Sequence, residues 1–569
     1  MAHGGGSAPR LRAAVLWRRT RAKLRKGQRV PPTSSKHPLD YEPVVPIRAG
    51  LGRPGVGDDD ESDALRPSRE GARGEGGGAF EEAAAFDEAS AVPAPRPATL
   101  QTAGGKVRGP AGRKAAKARA VTAAAPLRHG HAFTFAGLLL FTFYLFYRPY
   151  EFLPLPANLA FWFALLTLAV YVPSQLSAEG TLTARPREVN LVLLLCLAGL
   201  LSIPLAKGSA GEAWATFSDI FIRAVLIFII IVNAVRTESR LRWMLRLSVG
   251  SAVVLAVWAL NDFRAGRLTV EGYRVEGRLG GIFENPNDMA LHLVTMLPLT
   301  VALAFGSRGL LKKLLYGASA ALIVAGTVVT YSRGGFLAMS AAVLALAWML
   351  GRKNRFAVVA LVCVFAAGLL VLAPGGYGVR IFSIYDRKLD AFGSADARQA
   401  LLLRSILVAL RNPLFGVGMG NFSYVSFRNA QSHNAYTQVA AEMGAAAFVV
   451  YLLFVVTPLR RLLAVARETF DERRTSHFYY LAAGLSASLV GYMAASFFAS
   501  VAYYWNVYYL VGYAVCLRRL YEAERAKAAA ASPGAAFAEG AGPAGEVDDE
   551  GRREGLSESD ELRGRALSL

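Results

Sequence analysis

Asn-Pro-Leu-Phe-Gly-Val-Gly-Met-Gly-Asn-Phe runs from Asn412 to Phe422. Ser-His-Asn-Ala-Tyr follows at Ser432 to Tyr436, and an apolar stretch then continues through Glu442-Met443-Gly444. Turn-forming residues give way within a few positions to a run long enough to cross a bilayer. The segment therefore reads as an irregular polar connection that delivers one histidine, His433, to the mouth of a membrane helix.

The rest of the chain repeats the second half of that pattern. Of 569 residues, 53% are hydrophobic, and the mean hydropathy is +0.32 although both ends are polar. The apolar residues fall into runs of roughly 17–25, the length that crosses about 30 Å of hydrocarbon. These features predict an all-α, polytopic helical membrane protein with about 12 spans. The expected spans are 132–148, 157–173, 189–206, 216–235, 245–261, 287–306, 313–331, 335–350, 356–374, 434–457, 478–500 and 501–518. Few residues separate the last two, which leaves open a single re-entrant hairpin.

The ends differ in kind. Residues 1–130 are rich in Gly, Ala, Pro and Arg and read as a disordered, basic cytoplasmic tail, too poor in large apolar side chains to offset its ordering entropy. Asp58-Asp59-Asp60-Glu61 within it is a solvated charge run. Arg18-Arg19 lacks the following apolar segment of an export signal. Residues 521–569 read as a second disordered tail, and 131–520 as the membrane-embedded domain.

Net charge is +21. The Lys and Arg sit between apolar runs, where they set topology, and no aromatic-studded basic module accompanies them, so nucleic acid is not an expected partner. Arg185, Arg240, Arg308, Arg352, Arg461 and Arg519 lie in alternate loops. That places both termini in the cytoplasm and the intervening loops outside. Three cysteines, Cys196, Cys363 and Cys516, each inside an apolar run, have neither disulfide nor metal-ligand spacing.

Positive residues in outward loops oppose the charge bias and need a reason. Arg278 lies in Gly277-Arg278-Leu279-Gly280-Gly281-Ile282-Phe283-Glu284-Asn285-Pro286-Asn287, where glycines let backbone approach a ligand. It is either a ligand-binding cation or one loop charge among Arg267 and Arg274. Arg333 sits at the tip of a helical hairpin, Ser332-Arg333-Gly334-Gly335, and either clamps an anion or reaches the headgroups. The largest outer loop, about 375–433, contains an interfacial helix from Ala397 to Arg411, with Leu401, Leu402, Ile406 and Leu410 apolar and Arg404 and Arg411 on one face. His433 is the one histidine in an outward loop on this topology, and its ordinary pKa near 6.5 suits a general base. Arg404 and Asn434 are candidate supporting residues. Asp219 and Arg223, four apart, are expected to neutralise each other. His292 and Glu442 lie inside spans without an assigned role.

Four pieces resemble the O-antigen ligase and polymerase family of bacterial envelope glycosyltransferases. They are Gly-Ile-Phe-Glu-Asn-Pro-Asn at Gly281–Asn287, Ser-Arg-Gly at Ser332–Gly334, Asn-Pro-Leu-Phe-Gly-Val-Gly at Asn412–Gly418, and His-Asn-Ala-Tyr with a later Glu-Met-Gly at His433–Gly444. The long N-terminal tail departs from the family's pattern. The resemblance implies a multi-pass protein of the inner membrane whose periplasmic site moves a glycan from undecaprenyl pyrophosphate. The acceptor is the lipid A core in a ligase or a growing glycan in a polymerase. It also implies no metal and no cofactor, with Arg278 and Arg333 holding the pyrophosphate and His433 activating the acceptor hydroxyl. Bidentate guanidinium forks suit phosphate oxygens. A secondary transporter is a competing class, disfavoured by the lack of an internal repeat and the scarcity of intramembrane carboxylates. A membrane scaffold would leave the outward arginines unexplained.

Overall fold

The computed structural model describes residues 130–156, 158–277, 283–352, 354–390 and 393–530. The two expected tails, apart from their inner edges, lie outside the described residues, as do Asp58-Asp59-Asp60-Glu61 and Arg278.

Each expected span coincides with a helix. In chain order these are α1 (Ala132–Tyr147), α2 (Leu159–Glu179), α3 (Arg187–Ser202), α4 (Ala210–Ala234), α5 (Glu238–Arg264), α6 (Pro286–Phe305), α7 (Leu310–Val329), α8 (Arg333–Leu350) and α9 (Arg355–Leu372). The outer loop then carries α10 (Tyr377–Phe382), α11 (Ser394–Arg411) and α12 (Phe422–Val425). After it come α13 (Ala435–Glu468), α14 (Phe478–Ser496) and α15 (Trp505–Ala530). Among the described residues, eight helices are long and apolar enough to cross a membrane, and the only β pairing is an isolated bridge between Val270 and Arg274. The protein is an all-α polytopic membrane protein.

Local chemistry sets the helix starts. Thr237 accepts from the Arg240 N–H ahead of α5, and Asn285 accepts from the Asn287 N–H ahead of α6, where Pro286 occupies the first helical position. Ser332 and Asn434 do the same for α8 and α13. α14 and α15 are separate helices joined through residues 497–504. α15 also runs past Glu522 to Ala530, because Tyr521 and Arg525 both reach Glu468 on α13, at 2.9 and 2.7 Å.

α6 and α14 are the most deeply buried spans. A Cβ at Gly484 on α14 would stand 2.5 Å from the Ala302 Cβ on α6. The two backbones approach closely because no side chain intervenes, as small residues permit between membrane helices. Hydroxyl pairs add polar contacts across the bundle: Tyr451 with Tyr492 at 2.9 Å, Thr142 with Tyr509 at 2.9 Å and Ser248 with Tyr513 at 2.8 Å. At the end of α13 remote from His433, buried Glu188 receives Arg461 at 3.1 Å and Arg518 at 3.7 Å.

α13 is not continuous. Gly444 has φ 90° and ψ 175° inside it, and the Asn412–Phe422 segment is seated at that break. The Val417 N–H donates to the Ala441 carbonyl at 2.9 Å, the Gly418 N–H to the Glu442 carbonyl at 3.0 Å, and the Ala445 N–H to the Pro413 carbonyl at 2.7 Å. Irregular backbone at membrane depth survives only when protein satisfies its polar groups; here the two irregular stretches satisfy each other. Gly418 carries φ 97°, a conformation that glycine adopts without strain.

Candidate active site

The motifs around Asn287 and Ser332 meet directly. The Ser332 hydroxyl donates to the Asn287 side-chain oxygen at 2.8 Å, and Arg274 donates to the same oxygen at 3.0 Å. A second Arg274 nitrogen donates to the Thr330 carbonyl at 2.9 Å. Burial lowers the Arg274 pKa to about 10, partly opposed by Glu271. Arg274, a loop charge in the sequence, is thus a structural clamp between the two motifs. Arg267, its neighbour in sequence, pairs with Asp262 at 2.6 Å.

Arg333, the first residue of α8, points into the outer loop. Its guanidinium donates to Ser383 at 2.8 Å, Ser394 at 2.7 Å and Asp390 at 3.2 Å. Asp390 also receives Arg380 at 3.2 Å, and Arg380 reaches Glu271 at 3.3 Å. Burial works against the Asp390 carboxylate. The Ala395 N–H and then Arg333 and Arg380 outweigh it and hold its pKa below the ordinary carboxylate value. A chain of alternating charges, Glu271–Arg380–Asp390–Arg333, therefore closes the outer loop onto α8.

The same loop introduces a cation that sequence reasoning missed. Arg398 lies one turn after Ser394 on α11, on the same helix face, and its charge acts on Asp288, Arg274 and His433. Ser394, on that face, meets Arg333. Its signal was available: Ser394 and Arg398 are four apart, the spacing that puts two side chains on one face.

His433 adopts a left-handed backbone, φ 50°, uncommon for a residue with a Cβ. Its N–H donates to the Ser500 hydroxyl at 2.9 Å, and Ser500 and Ser432 lie 3.1 Å apart. Burial, and next the Arg398 charge, lower the His433 pKa to about 4. The imidazole is neutral at pH 7 and able to accept a proton. Asn434 caps α13 by accepting from the Tyr436 and Thr437 N–H groups, both at 3.0 Å, while its amide donates to the Phe497 carbonyl at 3.1 Å. It holds the turn that presents His433. Arg404 donates to the Val425 carbonyl at 2.9 Å and lies over the Phe427 ring, supporting the loop rather than facing His433. On α11, Leu401, Ser405 and Val408 pack inward while Leu403, Ile406, Leu407 and Leu410 stay exposed. The helix has one face on protein and one apolar face outward.

Residues 318–452 match the O-antigen ligase family. The matched stretch begins within α7 and ends within α13. It contains Arg333, Arg380 and Asp390 of the charge chain, Arg398, the glycine loop and His433, but not Glu271. No curated protein matches the chain. The Gly281–Asn287 motif lies outside the O-antigen ligase match, yet Asn287 is bonded to Ser332 within it. Arg278 lies outside the described residues; the ends of its segment are joined by the Gly277 N–H donating to the Glu284 carbonyl at 3.2 Å.

Two groups without a role in the sequence, Glu442 and His292, acquire structural ones. Glu442 accepts from the Gly420 N–H at 3.0 Å, the Phe422 N–H at 3.4 Å and the Tyr503 hydroxyl at 2.8 Å, pinning the glycine loop to α13. His292 lies 3.0 Å from the Ser251 hydroxyl and against the Phe146 and Phe283 rings. Asp219 and Arg223 form the expected pair, at 2.5 Å. Among the described residues, no group of three or more His, Cys, Asp or Glu could hold a metal ion.

Proposed function

We propose that the protein is an O-antigen ligase-type glycosyltransferase. It transfers a glycan from undecaprenyl pyrophosphate to a hydroxyl of the lipid A core, on the periplasmic face of a bacterial inner membrane with both termini cytoplasmic. The observation that carries this reading is the position of Arg398. It bears electrostatically on a neutral imidazole, while one turn away Ser394 touches a second guanidinium.

The chemistry follows from that pairing. Arg333 and Arg398, with Arg278, bind the pyrophosphate; their planar, permanently charged donors stabilise the negative charge that grows on it as it leaves. Neutral His433 takes the proton from the acceptor hydroxyl as its oxygen attacks the anomeric carbon. A new glycosidic C–O bond forms on the face opposite the breaking bond to the pyrophosphate, so the configuration inverts, and undecaprenyl pyrophosphate is released. Two or three guanidinium groups do the work that a divalent cation does elsewhere, so the reaction is metal-independent. Binding the anion beside Arg398 offsets its charge and makes His433 a stronger base in the complex than in the free protein.

A polymerase acting on repeat units would use the same groups. The test is reconstitution with a lipid-pyrophosphate glycan and separate acceptors, reading product size and linkage. Ligation gives a capped lipid A core and polymerisation a longer lipid-linked glycan. Absence of both, with Arg333 and His433 intact, rejects the proposal. In cells, losing the gene leaves long glycan on its carrier for a ligase and single repeats for a polymerase.

A further inference from the structure

Three arginines follow one another on the first turns of α5, and they are not treated alike. Arg240 donates to the Gly130 and Ala234 carbonyls at 2.7 and 2.9 Å, and Arg242 pairs with Glu238. Arg246, one turn further on, is exposed. Among the described residues it meets no carboxylate or hydrogen-bond acceptor, only the exposed Trp243 ring at 5.4 Å. It is the ninth residue of the helix, about 12 Å along it, where the sequence has turned apolar.

A groove opens beside it. Arg240 of α5 meets Gly130, two residues before α1, and at the other end of α1 the Tyr147 hydroxyl donates to the Leu247 carbonyl at 3.0 Å. Arg240 also lies over the Phe135 ring of α1 at 5.2 Å, and beyond it an opening is left between the two helices. The opening has a volume of about 580 Å³ and is lined by Ala136, Leu139, Leu140 and Phe143 on one side and Trp243 and Arg246 on the other. That size falls within the roughly 300–1,000 Å³ of small-molecule sites. Arg246 supplies its only charge. A guanidinium on a membrane-facing helix is costly without a counter-charge, and a bilayer offers one chemical species that brings an anion and an apolar chain together.

We infer that this groove is a phospholipid site, with the lipid phosphate on Arg246 and an acyl chain along Ala136 to Phe143. It is distinct from the transferase site: α1 and the first turns of α5 contribute nothing to the His433 cluster.

The test is native mass spectrometry of the purified full chain exchanged into detergent with phosphatidylglycerol or with diacylglycerol, which lacks the phosphate. The wild-type protein retains phosphatidylglycerol and not diacylglycerol. Arg246→Gln lowers the retained fraction roughly tenfold, as loss of a charged hydrogen bond does. Ala136→Trp fills the groove without touching the charge and has the same effect, with folding verified by an unchanged thermal melt. Equal retention by Arg246→Gln and wild type overturns the inference, as does equal retention of the two lipids. Transfer activity plays no part in this readout, so the site stands or falls separately from the proposed reaction.

Discussion

Asn287 and Ser332 are joined by a 2.8 Å hydrogen bond across 45 positions of chain. The Asn287 oxygen accepts from Arg274 as well, so one side-chain carbonyl ties the start of α6, the loop before it and the start of α8. Asn287→Ala leaves both donors without that acceptor. The expected cost is about 1–3 kcal/mol for the stranded polar groups, read as a lower melting temperature in detergent, with transfer reduced. Asn287→Asp keeps an acceptor and is expected to retain more of both.

Arg333→Ala is expected to abolish transfer while the protein still inserts. Arg333→Lys recovers little, because an ammonium cannot reproduce the fork that meets Ser383, Ser394 and Asp390. Transfer by either variant at wild-type rate removes Arg333 from the mechanism. Arg398→Ala is expected to fall in the same class, which distinguishes it from Arg404→Ala, whose guanidinium is occupied with the Val425 carbonyl.

The pH dependence carries its own sign. With the His433 pKa lowered to about 4 by burial and then Arg398, the base form predominates above that value. kcat/KM, which reports the free protein, therefore falls only as pH drops through about 4, below the ordinary histidine value near 6.5. The acid limb of kcat lies higher, since bound pyrophosphate offsets Arg398. In Arg398→Lys the positive charge persists and the kcat/KM limb stays low; in a residual-activity Arg398→Ala assay it moves up. A limb at 6.5 in the wild type for kcat/KM contradicts this assignment.

Asp390 carries two arginines at once. Asp390→Ala leaves Arg333 and Arg380 facing each other without their shared counter-charge. Breaking such a nearly buried pair costs about 3–5 kcal/mol. Proteolysis of the outer loop is the direct readout: cleavage near residues 380–395 is expected to accelerate while the spans resist.

Transfer is expected to persist in chelator at the wild-type rate. Loss that magnesium restores would reject the metal-independent reaction.

The helices were legible because twelve apolar runs, punctuated by Ser, Thr and Asn caps, leave few alternatives for chain that must satisfy its own backbone in lipid. His433 and Arg333 stood out by charge and position. Arg398 did not, because the apolar stripe of α11 dominates its pattern, while Ser394 and Arg398 lie on a different, polar face whose partners come from distant chain. Glu442 was invisible for a different reason: its partners are N–H groups on a loop that meets it only after folding, and backbone donors leave no mark in sequence. Arg274 looked like a surplus charge until Thr330 and Asn287 supplied its acceptors.

The seam at Gly444 has a mechanical meaning. Because the loop's backbone completes a helix that is cut in two, the Asn412–Phe422 segment and the second half of that helix are tied together by main-chain hydrogen bonds. A substrate that shifts the loop has to tug on a strut reaching to Glu468.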